Sequence, residues 1–259
     1  MKILSRIKRI FGEIVPLVFV PKCVNCQTVL PSKDMVFCDK CQKVYLLESK
    51  MPCKACNRAH KMCTCRINFI DSRFALTHVT GYDINLPYVS KSLILSIKDD
   101  KLEAAIDFMA DEMLLALRER YLRLFERTNV VITYVPRSER AKREAGHDQS
   151  KELALRIAEK SGAVFMPLFK NNGKKKQKTL GANQRMKNAI ESYTLLAPEL
   201  KLSGQTVVIV DDIVTTGASI GACAALTRKA GAKAVIALSA AKTVSGGNNK
   251  FRKKKKDEE

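Results

Sequence analysis

The sequence predicts an α/β protein whose core is a doubly wound, mostly parallel sheet, preceded by a small cysteine-rich module. Runs of branched apolar residues without polar alternation suit strands that are covered on both faces, as in parallel sheets. Helical segments alternate with these runs, which favours helices on both sides of the sheet. The 259 residues, 46% of them hydrophobic, suffice for one such domain and a smaller module.

Residues 1–19 are predicted to form an amphipathic helix that docks on the rest of the protein. Basic residues precede a short apolar stretch, but Glu13 interrupts it and no small-x-small cleavage motif follows, so a signal peptide is disfavoured. A helix on a membrane surface is the alternative. Because the stretch 14–20 is short and contains Pro16, no stable membrane insertion is expected. The apolar positions at helical spacing are Ile3, Leu4, Ile7, Ile10, Phe11 and Ile14.

Residues 20–68 are predicted to form a zinc-ribbon module, single or double. Three Cys-x-x-Cys pairs recur at a fifteen-residue step, and a Cys-x-Cys pair follows them. Paired thiolates at this spacing share a tetrahedral zinc ion, whereas a disulfide framework is not expected in a chain without an export signal. So small a module lacks an apolar core and would need a metal to fold. The eight predicted ligands are Cys23, Cys26, Cys38, Cys41, Cys53, Cys56, Cys63 and Cys65.

The first four of these cysteines are predicted to hold one zinc ion and the last four a second. In the second group His60 is an alternative ligand, because the loop between Cys63 and Cys65 is tight. Interleaved pairing, in which alternate pairs share an ion, is equally compatible with the sequence. One or two zinc ions are therefore expected. Cys223 stands alone on an Ala-rich helical segment and is expected to pack in the core.

The predicted sheet domain spans residues 75–243. Its first predicted element is a long amphipathic helix, with apolar residues from Leu102 to Leu124. Two βαβ units are predicted after it. The first comprises a strand at 129–135, a helix at 149–161 and a strand at 164–166, and the second a strand at 207–210, a helix at 218–230 and a strand at 234–238.

Two carboxylates and a polar turn come directly after the strand 207–210. Asp211 and Asp212 would lie at the carboxyl end of a parallel strand, where α/β sheets bind ligands. Their oxygens can accept hydrogen bonds from a vicinal diol, or hold a sugar-bound Mg²⁺ through water. Residues 215–219 then provide hydroxyls, a flexible glycine and backbone N–H groups at a helix start, which form an anion cradle. The pattern predicts a site for a phosphorylated sugar, and aspartates that merely cap a helix are the alternative.

The segment from Val207 to Ser219 resembles the fingerprint of type I phosphoribosyltransferases. The resemblance implies a sheet of the type I phosphoribosyltransferase kind, with phosphoribosyl diphosphate and Mg²⁺ as ligands. It implies that Asp211 and Asp212 are catalytic-site residues that hold the ribose hydroxyls. It also implies that the 5′-phosphate is bound by Thr215, Thr216, Gly217, Ala218 and Ser219.

Further motifs occur in the order and spacing of ComF-family proteins, also called ComFC in competence systems. The cysteine module is in its expected place, and the resemblance covers residues 20–240. The motifs are Tyr134-Val135-Pro136-Arg137-Ser138, Gly146-x-x-Gln149, Gln177-x-x-Leu180, Arg185-x-x-Asn188 and the Asp211-Asp212 segment.

This resemblance implies a diphosphate loop formed by Pro136, Arg137 and Ser138, with backbone N–H groups facing the leaving group. It assigns Gln177 and Arg185 to a flexible lid. From composition alone, the basic stretch 169–188 is either such a lid or a solvated loop. The chain departs from the family's usual Arg-Gly-Phe-Asn-Gln at residues 145–149, where it has Ala-Gly-His-Asp-Gln, and Arg143 is expected to supply the missing cation.

A net charge of +20 favours polyanionic partners, with solvated surface lysines as the alternative. Residues 1–66 carry thirteen Lys and Arg against four Asp and Glu, so the module stays basic even with eight thiolates and two Zn²⁺. Residues 244–259 are predicted to be a disordered basic tail. Module and tail are expected to hold single-stranded DNA by its phosphates. The candidates for base stacking are Phe37, Tyr45 and Phe69.

Two functions follow. The ComF resemblance implies a cytoplasmic protein that handles single-stranded DNA during DNA uptake in natural transformation. Its implied partners are a competence helicase or uptake-channel proteins, through which it would associate with the membrane. The alternative is an active phosphoribosyltransferase, in which diphosphate leaves C1 of the ribose through an oxocarbenium-like centre. No residue of the sequence identifies the acceptor, such as a nucleobase.

Overall fold

The computed structural model describes residues 20–53, 56–63, 65, 76–82, 87–98, 102–126, 129–173 and 191–243. Outside these ranges lie the predicted N-terminal helix, the predicted basic tail and the boundary between the two predicted domains. The predicted lid residues Gln177 and Arg185, and Phe69, also lie outside them. Within the described ranges, no helix combines the length and the hydropathy needed to cross a membrane.

The described elements are a mixture of helices and strands. In order they are α1 (Asp39–Ser49), a 3-10 turn (His60–Met62), β1 (Leu76–Tyr82), α2 (Val89–Lys98), α3 (Glu103–Arg120), β2 (Val130–Tyr134), α4 (Glu139–Ala145), α5 (Gln149–Ser161), β3 (Val164–Phe165), β4 (Phe169–Asn171), β5 (Tyr193–Leu195), β6 (Thr206–Val214), α6 (Ala218–Lys229) and β7 (Ala234–Thr243).

Five strands form one parallel sheet in the order β1-β7-β6-β2-β3. Strand β6 is central, with β7 on one side and β2 on the other. The short strands β4 and β5 pair antiparallel with each other in a separate ribbon. The parallel sheet predicted from the apolar runs is confirmed.

Both faces of the sheet are covered, which explains why its central strands show no polar alternation. Val208 and Ile132 belong to an apolar cluster that includes buried residues of α3 and α5. Val207 and Ile209 point the opposite way, into a cluster that includes α6. Cys223 is completely buried in this second cluster, as expected from the Ala-rich helix. The sheet is therefore doubly wound.

The cysteine module shares its apolar core with the sheet domain. Tyr45 on α1 is fully buried and stacks on Phe37, with the ring centroids 5.3 Å apart. Phe108 of α3 meets Phe37 and Tyr45 edge-on, at centroid distances of 5.6 and 5.3 Å. The prediction that the module lacks an apolar core is wrong in this respect, because α3 completes that core.

A buried carboxylate joins the module to the start of α2. The two Glu48 oxygens accept hydrogen bonds from the backbone N–H groups of Val89 and Ser90, each at 2.8 Å. These N–H groups belong to the first turn of a helix, which has no intrahelical acceptors for them. Glu48 is 7% exposed. Its charge is favourable at a helix N-terminus, so a residue distant in sequence caps α2.

Several elements differ from the sequence-based expectation. Strand β6 runs on to Val214 instead of ending at residue 210, because β7 continues to pair with it. Helix α3 ends at Arg120, and Leu124 is buried from the turn that follows. Helices α1, α2 and α4, strand β1 and the β4–β5 ribbon were not predicted from the sequence. Helix α4 and the ribbon strands are short, and β1 is polar at several positions.

We expect Glu48→Ala to lower the free energy of unfolding by about 1–3 kcal/mol, because it leaves two buried N–H groups without an acceptor. Urea denaturation of the zinc-loaded protein measures this loss. Glu119→Ala removes an exposed glutamate from α3 and serves as the control, with an expected change within about 0.5 kcal/mol. Equal losses in the two variants would show that the cap does not stabilise the fold.

Candidate functional site

Strand β6 extends beyond its neighbour β2, and this difference creates the candidate site. Strand β2 ends at Tyr134, opposite Val210, whereas β6 continues beside β7 to Val214. The Val135 N–H still donates to the Val210 carbonyl at 2.9 Å. Beyond this point, β6 borders the loop that follows β2 instead of a strand. The aspartates thus lie at the carboxyl edge of the sheet, among the last residues of β6.

The acidic pair is held by hydrogen bonds from the start of α5. Oδ1 of Asp211 accepts a hydrogen bond from the Ser150 hydroxyl at 3.1 Å and another from the Asp212 N–H at 3.0 Å. Oδ1 of Asp212 accepts from the Ile213 N–H at 2.7 Å. Burial, and then the neighbouring Asp212 carboxylate, raise the pKa of Asp211 well above its usual value. Asp211 is therefore fixed in place, in surroundings that disfavour its charged form.

The loop after β2 approaches the acidic pair through Arg137. A guanidinium nitrogen of Arg137 lies 3.9 Å from Oδ2 of Asp212, and both side chains are about one-fifth exposed. The Arg137 N–H donates to Oδ2 of Asp148 at 3.1 Å. Burial of the Asp148 carboxyl raises its pKa. This N–H, which was expected to face the leaving group, is thus engaged by Asp148.

The turn 215–219 has the geometry of an anion-binding helix start. Gly217 adopts φ 79°, in the left-handed region, and is the N-cap of α6. That conformation favours glycine because a Cβ would be strained there. The Thr216 hydroxyl accepts from the Ala218 N–H at 3.4 Å. The following N–H groups of the first turn have no intrahelical acceptors, and the helix dipole favours an anion beside them.

The ends of the basic stretch flank the loop 136–138. The Asn171 side chain donates to the Pro136 carbonyl at 3.1 Å, and a Cβ placed on Gly173 would lie 3.6 Å from that of Ser138. Strands β4 and β5 pair across the stretch, with Asn171 opposite Tyr193. The β4–β5 ribbon, whose two strands flank residues 174–190 in the sequence, therefore adjoins the predicted diphosphate loop.

Helix α4 carries the remaining predicted residues. Ser138 is its N-cap, and its hydroxyl accepts from the Ala141 N–H at 3.3 Å. Arg143 is exposed in the last turn of α4. The structure therefore brings Arg137 to the acidic pair and leaves Arg143 at the surface of the same loop-helix unit.

Two residues of the site, Asp148 and Ser150, were not predicted from the sequence. Each is a polar residue almost fully buried at the start of α5, with exposures of 5% and 3%. One contacts the loop after β2 and the other contacts the acidic pair. Their only signal in the sequence was their position at a helix start after the βα loop, because their partners lie far away along the chain.

The first four cysteines converge as predicted. The sulfur atoms of Cys23, Cys26, Cys38 and Cys41 all lie within 4.8 Å of one another. Those of Cys26 and Cys38 are 3.6 Å apart. Tetrahedral Zn²⁺ with Zn–S bonds of about 2.3 Å requires sulfur atoms about 3.8 Å apart. The group therefore fits a closed zinc site.

The last four cysteines form a second group, so the structure does not show interleaved pairing. The sulfur atoms of Cys53 and Cys65 are 3.7 Å apart, as are those of Cys56 and Cys63. Arg120 anchors the group to the fold by donating to the Cys63 carbonyl at 3.0 Å. This group also fits four-thiolate zinc geometry.

His60, the alternative ligand for this group, contacts the sheet domain instead. Its Nδ1 lies 3.1 Å from Nε2 of His78 on β1, and both rings are buried. Burial lowers the pKa of His60, and burial lowers that of His78 to about 3. Both rings are therefore neutral near pH 7. The four-cysteine group is complete without His60.

We expect the zinc-loaded protein to hold one Zn²⁺ in each cysteine group, two per chain. Cys26→Ser and Cys56→Ser should each reduce the zinc content to about one ion per chain, because a three-thiolate site is no longer closed. Cys223→Ala removes a cysteine outside both groups and should retain both ions. Native mass spectrometry counts the ions. A content of one in the unaltered chain would contradict the two-site assignment.

Comparison with known proteins adds a family assignment for part of the chain. Residues 150–258 match the family model of the phosphoribosyl transferase domain. No curated protein matches the sequence. The matched segment begins in α5 and includes β6, α6 and β7, and therefore the acidic pair and the turn 215–219.

Solved structures of phosphoribosyltransferases are distantly similar. An adenine phosphoribosyltransferase shares 18% identity over 62% of this chain and 79% of its own, with a TM-score of 0.37. A purine phosphoribosyltransferase from Pyrococcus horikoshii Ot3 shares 21% identity over 53% of this chain and 82% of its own, with a TM-score of 0.32. Adenine phosphoribosyltransferase from Saccharomyces cerevisiae shares 16% identity over 56% of this chain and 72% of its own, with a TM-score of 0.34. On the family match, the chain contains a phosphoribosyltransferase-type domain, joined to a cysteine-rich region with two four-cysteine groups.

Proposed function

We propose that the chain is a ComF-like protein that binds phosphoribosyl diphosphate with Mg²⁺ and takes part in handling single-stranded DNA during DNA uptake. One observation carries the ligand assignment: a partly buried acidic pair and an anion-binding helix start follow one another at the carboxyl edge of a parallel sheet. The proposal keeps the division into a cysteine module, residues 20–68, and a phosphoribosyltransferase-like domain, residues 75–243.

The acidic pair would bind the ribose, and the turn the 5′-phosphate. Carboxylate oxygens accept hydrogen bonds only, so they suit the two hydroxyls of a vicinal diol. Oδ1 of Asp211 already accepts hydrogen bonds from Ser150 and Asp212, so the diol would be bound by the other carboxylate oxygens of the pair. The phosphate would lie against residues 215–219, where N–H groups and hydroxyls are donors. Because β6 leads directly into this turn, one continuous segment would contact both ends of the ribose phosphate.

The diphosphate would lie on the loop 136–138. Arg137 is the cation nearest the acidic pair, and it must exchange its contact with Asp212 for the diphosphate oxygens when the ligand binds. The ion pair is long and partly exposed, so breaking it costs little. Mg²⁺ bound with the ligand neutralises charge on the diphosphate. Lys and Arg from residues 174–190 would close over it from the β4–β5 ribbon.

The match to the phosphoribosyl transferase domain favours a second function, transfer of the phosphoribosyl group to an acceptor. In that reaction the C1–O bond to diphosphate breaks and a bond from C1 to the acceptor forms. Arg137 would stabilise the charge on the departing diphosphate, and the acidic pair would stabilise the cationic ribose. We rank ligand binding above turnover, because no residue of the sequence identifies the acceptor.

DNA binding would rest on phosphate contacts. Exposed lysines on the cysteine module include Lys22, Lys33, Lys40, Lys43 and Lys50. Two of the three rings that the sequence suggested for base stacking, Phe37 and Tyr45, are not available for it, since both are buried against Phe108. The third, Phe69, lies outside the described residues. Contacts to phosphates without base stacking predict binding that depends strongly on salt and weakly on sequence.

The double variant Asp211→Asn with Asp212→Asn should lose binding of phosphoribosyl diphosphate and Mg²⁺ by at least about a hundredfold, because amides neither attract the metal nor accept two diol hydrogen bonds equally well. Isothermal calorimetry measures the affinity. Glu199→Gln, an exposed carboxylate of the same domain, should bind like the unaltered protein. If the unaltered protein binds no ligand, the proposed ligand is wrong. Release of diphosphate with any tested acceptor would establish turnover.

Replacing Lys40 and Lys43 by Glu should weaken binding of single-stranded DNA. Each lost phosphate contact should reduce the slope of log affinity against log salt by about 0.7. Fluorescence anisotropy at several salt concentrations measures the slope. The matched control replaces Lys201 and Lys233, exposed lysines of the sheet domain, and should retain the slope. Equal effects of the two pairs would remove the cysteine module from the DNA-binding account.

A further inference from the structure

The first turn of α5 contacts both loops of the candidate site. Asp148, Gln149 and Ser150 are 5%, 0% and 3% exposed, which is unusual burial for three consecutive polar residues. Asp148 holds the loop after β2 through the Arg137 N–H. Ser150 holds the strand end that carries the acidic pair. Gln149 donates to the Lys98 carbonyl at the end of α2, which ties this turn to a third element.

Ser150 makes two contacts with consecutive residues of β6. Its hydroxyl donates to Oδ1 of Asp211 at 3.1 Å, and its oxygen accepts from the Asp212 N–H at 3.2 Å. The same N–H also lies 3.0 Å from Oδ1 of Asp211. The hydroxyl, the carboxylate and the N–H thus close a small ring of hydrogen bonds. In this ring Ser150 fixes the direction of one carboxylate and the peptide orientation of the next.

We propose that Ser150 is a positioning residue for the acidic pair: it holds Asp211 and the Asp212 backbone in the arrangement that binds the ribose diol. The inference rests on the proposed function, since it concerns the same site. Ser150 would not touch the ligand, because its hydroxyl is already used by the two β6 residues. Its contribution would be made before the ligand arrives, by keeping Oδ2 of Asp211 as the oxygen available to a hydroxyl.

The charge environment of Asp211 explains why this hydroxyl matters. The Asp212 carboxylate on the same strand raises the pKa of Asp211. Tyr193 on β5 and Cys223 on α6 also lie near Asp211, but burial and then the acidic neighbours raise the pKa of both, which favours their neutral forms. Among the described cations, Arg137 is paired with Asp212. Burial and the Asp212 charge raise the pKa of Asp211, whereas the hydrogen bond from Ser150 lowers it. Without that hydroxyl, Asp211 would keep its proton to a higher pH. Binding that needs the ionised pair would then be lost earlier as the pH falls.

The test compares Ser150→Ala, Ser150→Thr and the control Ser161→Ala. Ser161 lies at the other end of α5, where its hydroxyl donates to the Ala158 carbonyl and accepts from the Ala163 N–H, and neither partner belongs to the acidic pair. Calorimetry with phosphoribosyl diphosphate and Mg²⁺ from about pH 5 to about pH 9 gives the affinity at each pH. The midpoint is the pH at which the affinity has fallen to half of its highest value. Ser150→Ala should bind at least about tenfold more weakly near pH 7 and move the midpoint to higher pH. Ser161→Ala should match the unaltered protein, and Ser150→Thr, which retains a hydroxyl, should lie closer to it than Ser150→Ala does.

The outcomes separate the two proposals. Urea denaturation of each variant establishes that it is folded under the assay conditions. If the unaltered protein binds and Ser150→Ala has the same affinity and the same pH midpoint, the positioning role is refuted while the ligand assignment stands. Ser150→Ala and Ser161→Ala could instead weaken the affinity equally without moving the pH midpoint. That result would show a general effect on α5 and would also refute the positioning role. If the unaltered protein does not bind, both proposals fail.

Discussion

The unequal length of β6 and β2 is the constraint on which the site depends. Both strands pair in parallel as far as Tyr134 and Val210, and their apolar side chains form the two cores of the domain. Only β7 accompanies β6 further, so the strand keeps one hydrogen-bonded edge and releases the other. The aspartates therefore have a rigid backbone and an open side at once. This combination suits a binding site, because regular structure positions side chains more accurately than a free loop does.

The released edge of β6 is completed by α5 and not by a strand. Ser150 contacts the acidic pair and Asp148 contacts the loop after β2, so one helix turn supports both segments. This arrangement gives Asp148 a structural role in the segment 145–149. An aspartate at 148 accepts the Arg137 N–H, which draws the loop toward α5. The buried carboxylate has an oxygen without a hydrogen bond among the described residues, so this contact carries a desolvation cost.

The cysteine groups and the sheet domain support each other. Zinc bound by four thiolates would fix the backbone of each group, but α1 needs Phe108 of α3 to bury Tyr45 and Phe37. Glu48 caps α2 from the module, and Arg120 of α3 donates to the carbonyl of Cys63. These contacts bury polar groups in pairs, which stabilises a defined orientation between module and sheet.

The sequence alone determined the doubly wound parallel sheet, the eight cysteines that could bind zinc and the place of Asp211 and Asp212 at the sheet edge, whereas the structure divided the cysteines into two groups of four. Each of these depends on neighbours in the chain: uninterrupted apolar runs, pairs of cysteines two residues apart, and carboxylates directly after a strand core. Only the tertiary structure decided that β6 continues past the aspartates, that Phe37 and Tyr45 are buried, and that His60 faces His78. The roles of Asp148 and Ser150 belong to the same class, since their partners are 11 and 61 residues away. Contacts over such separations leave no local pattern, because folding alone brings the two residues together.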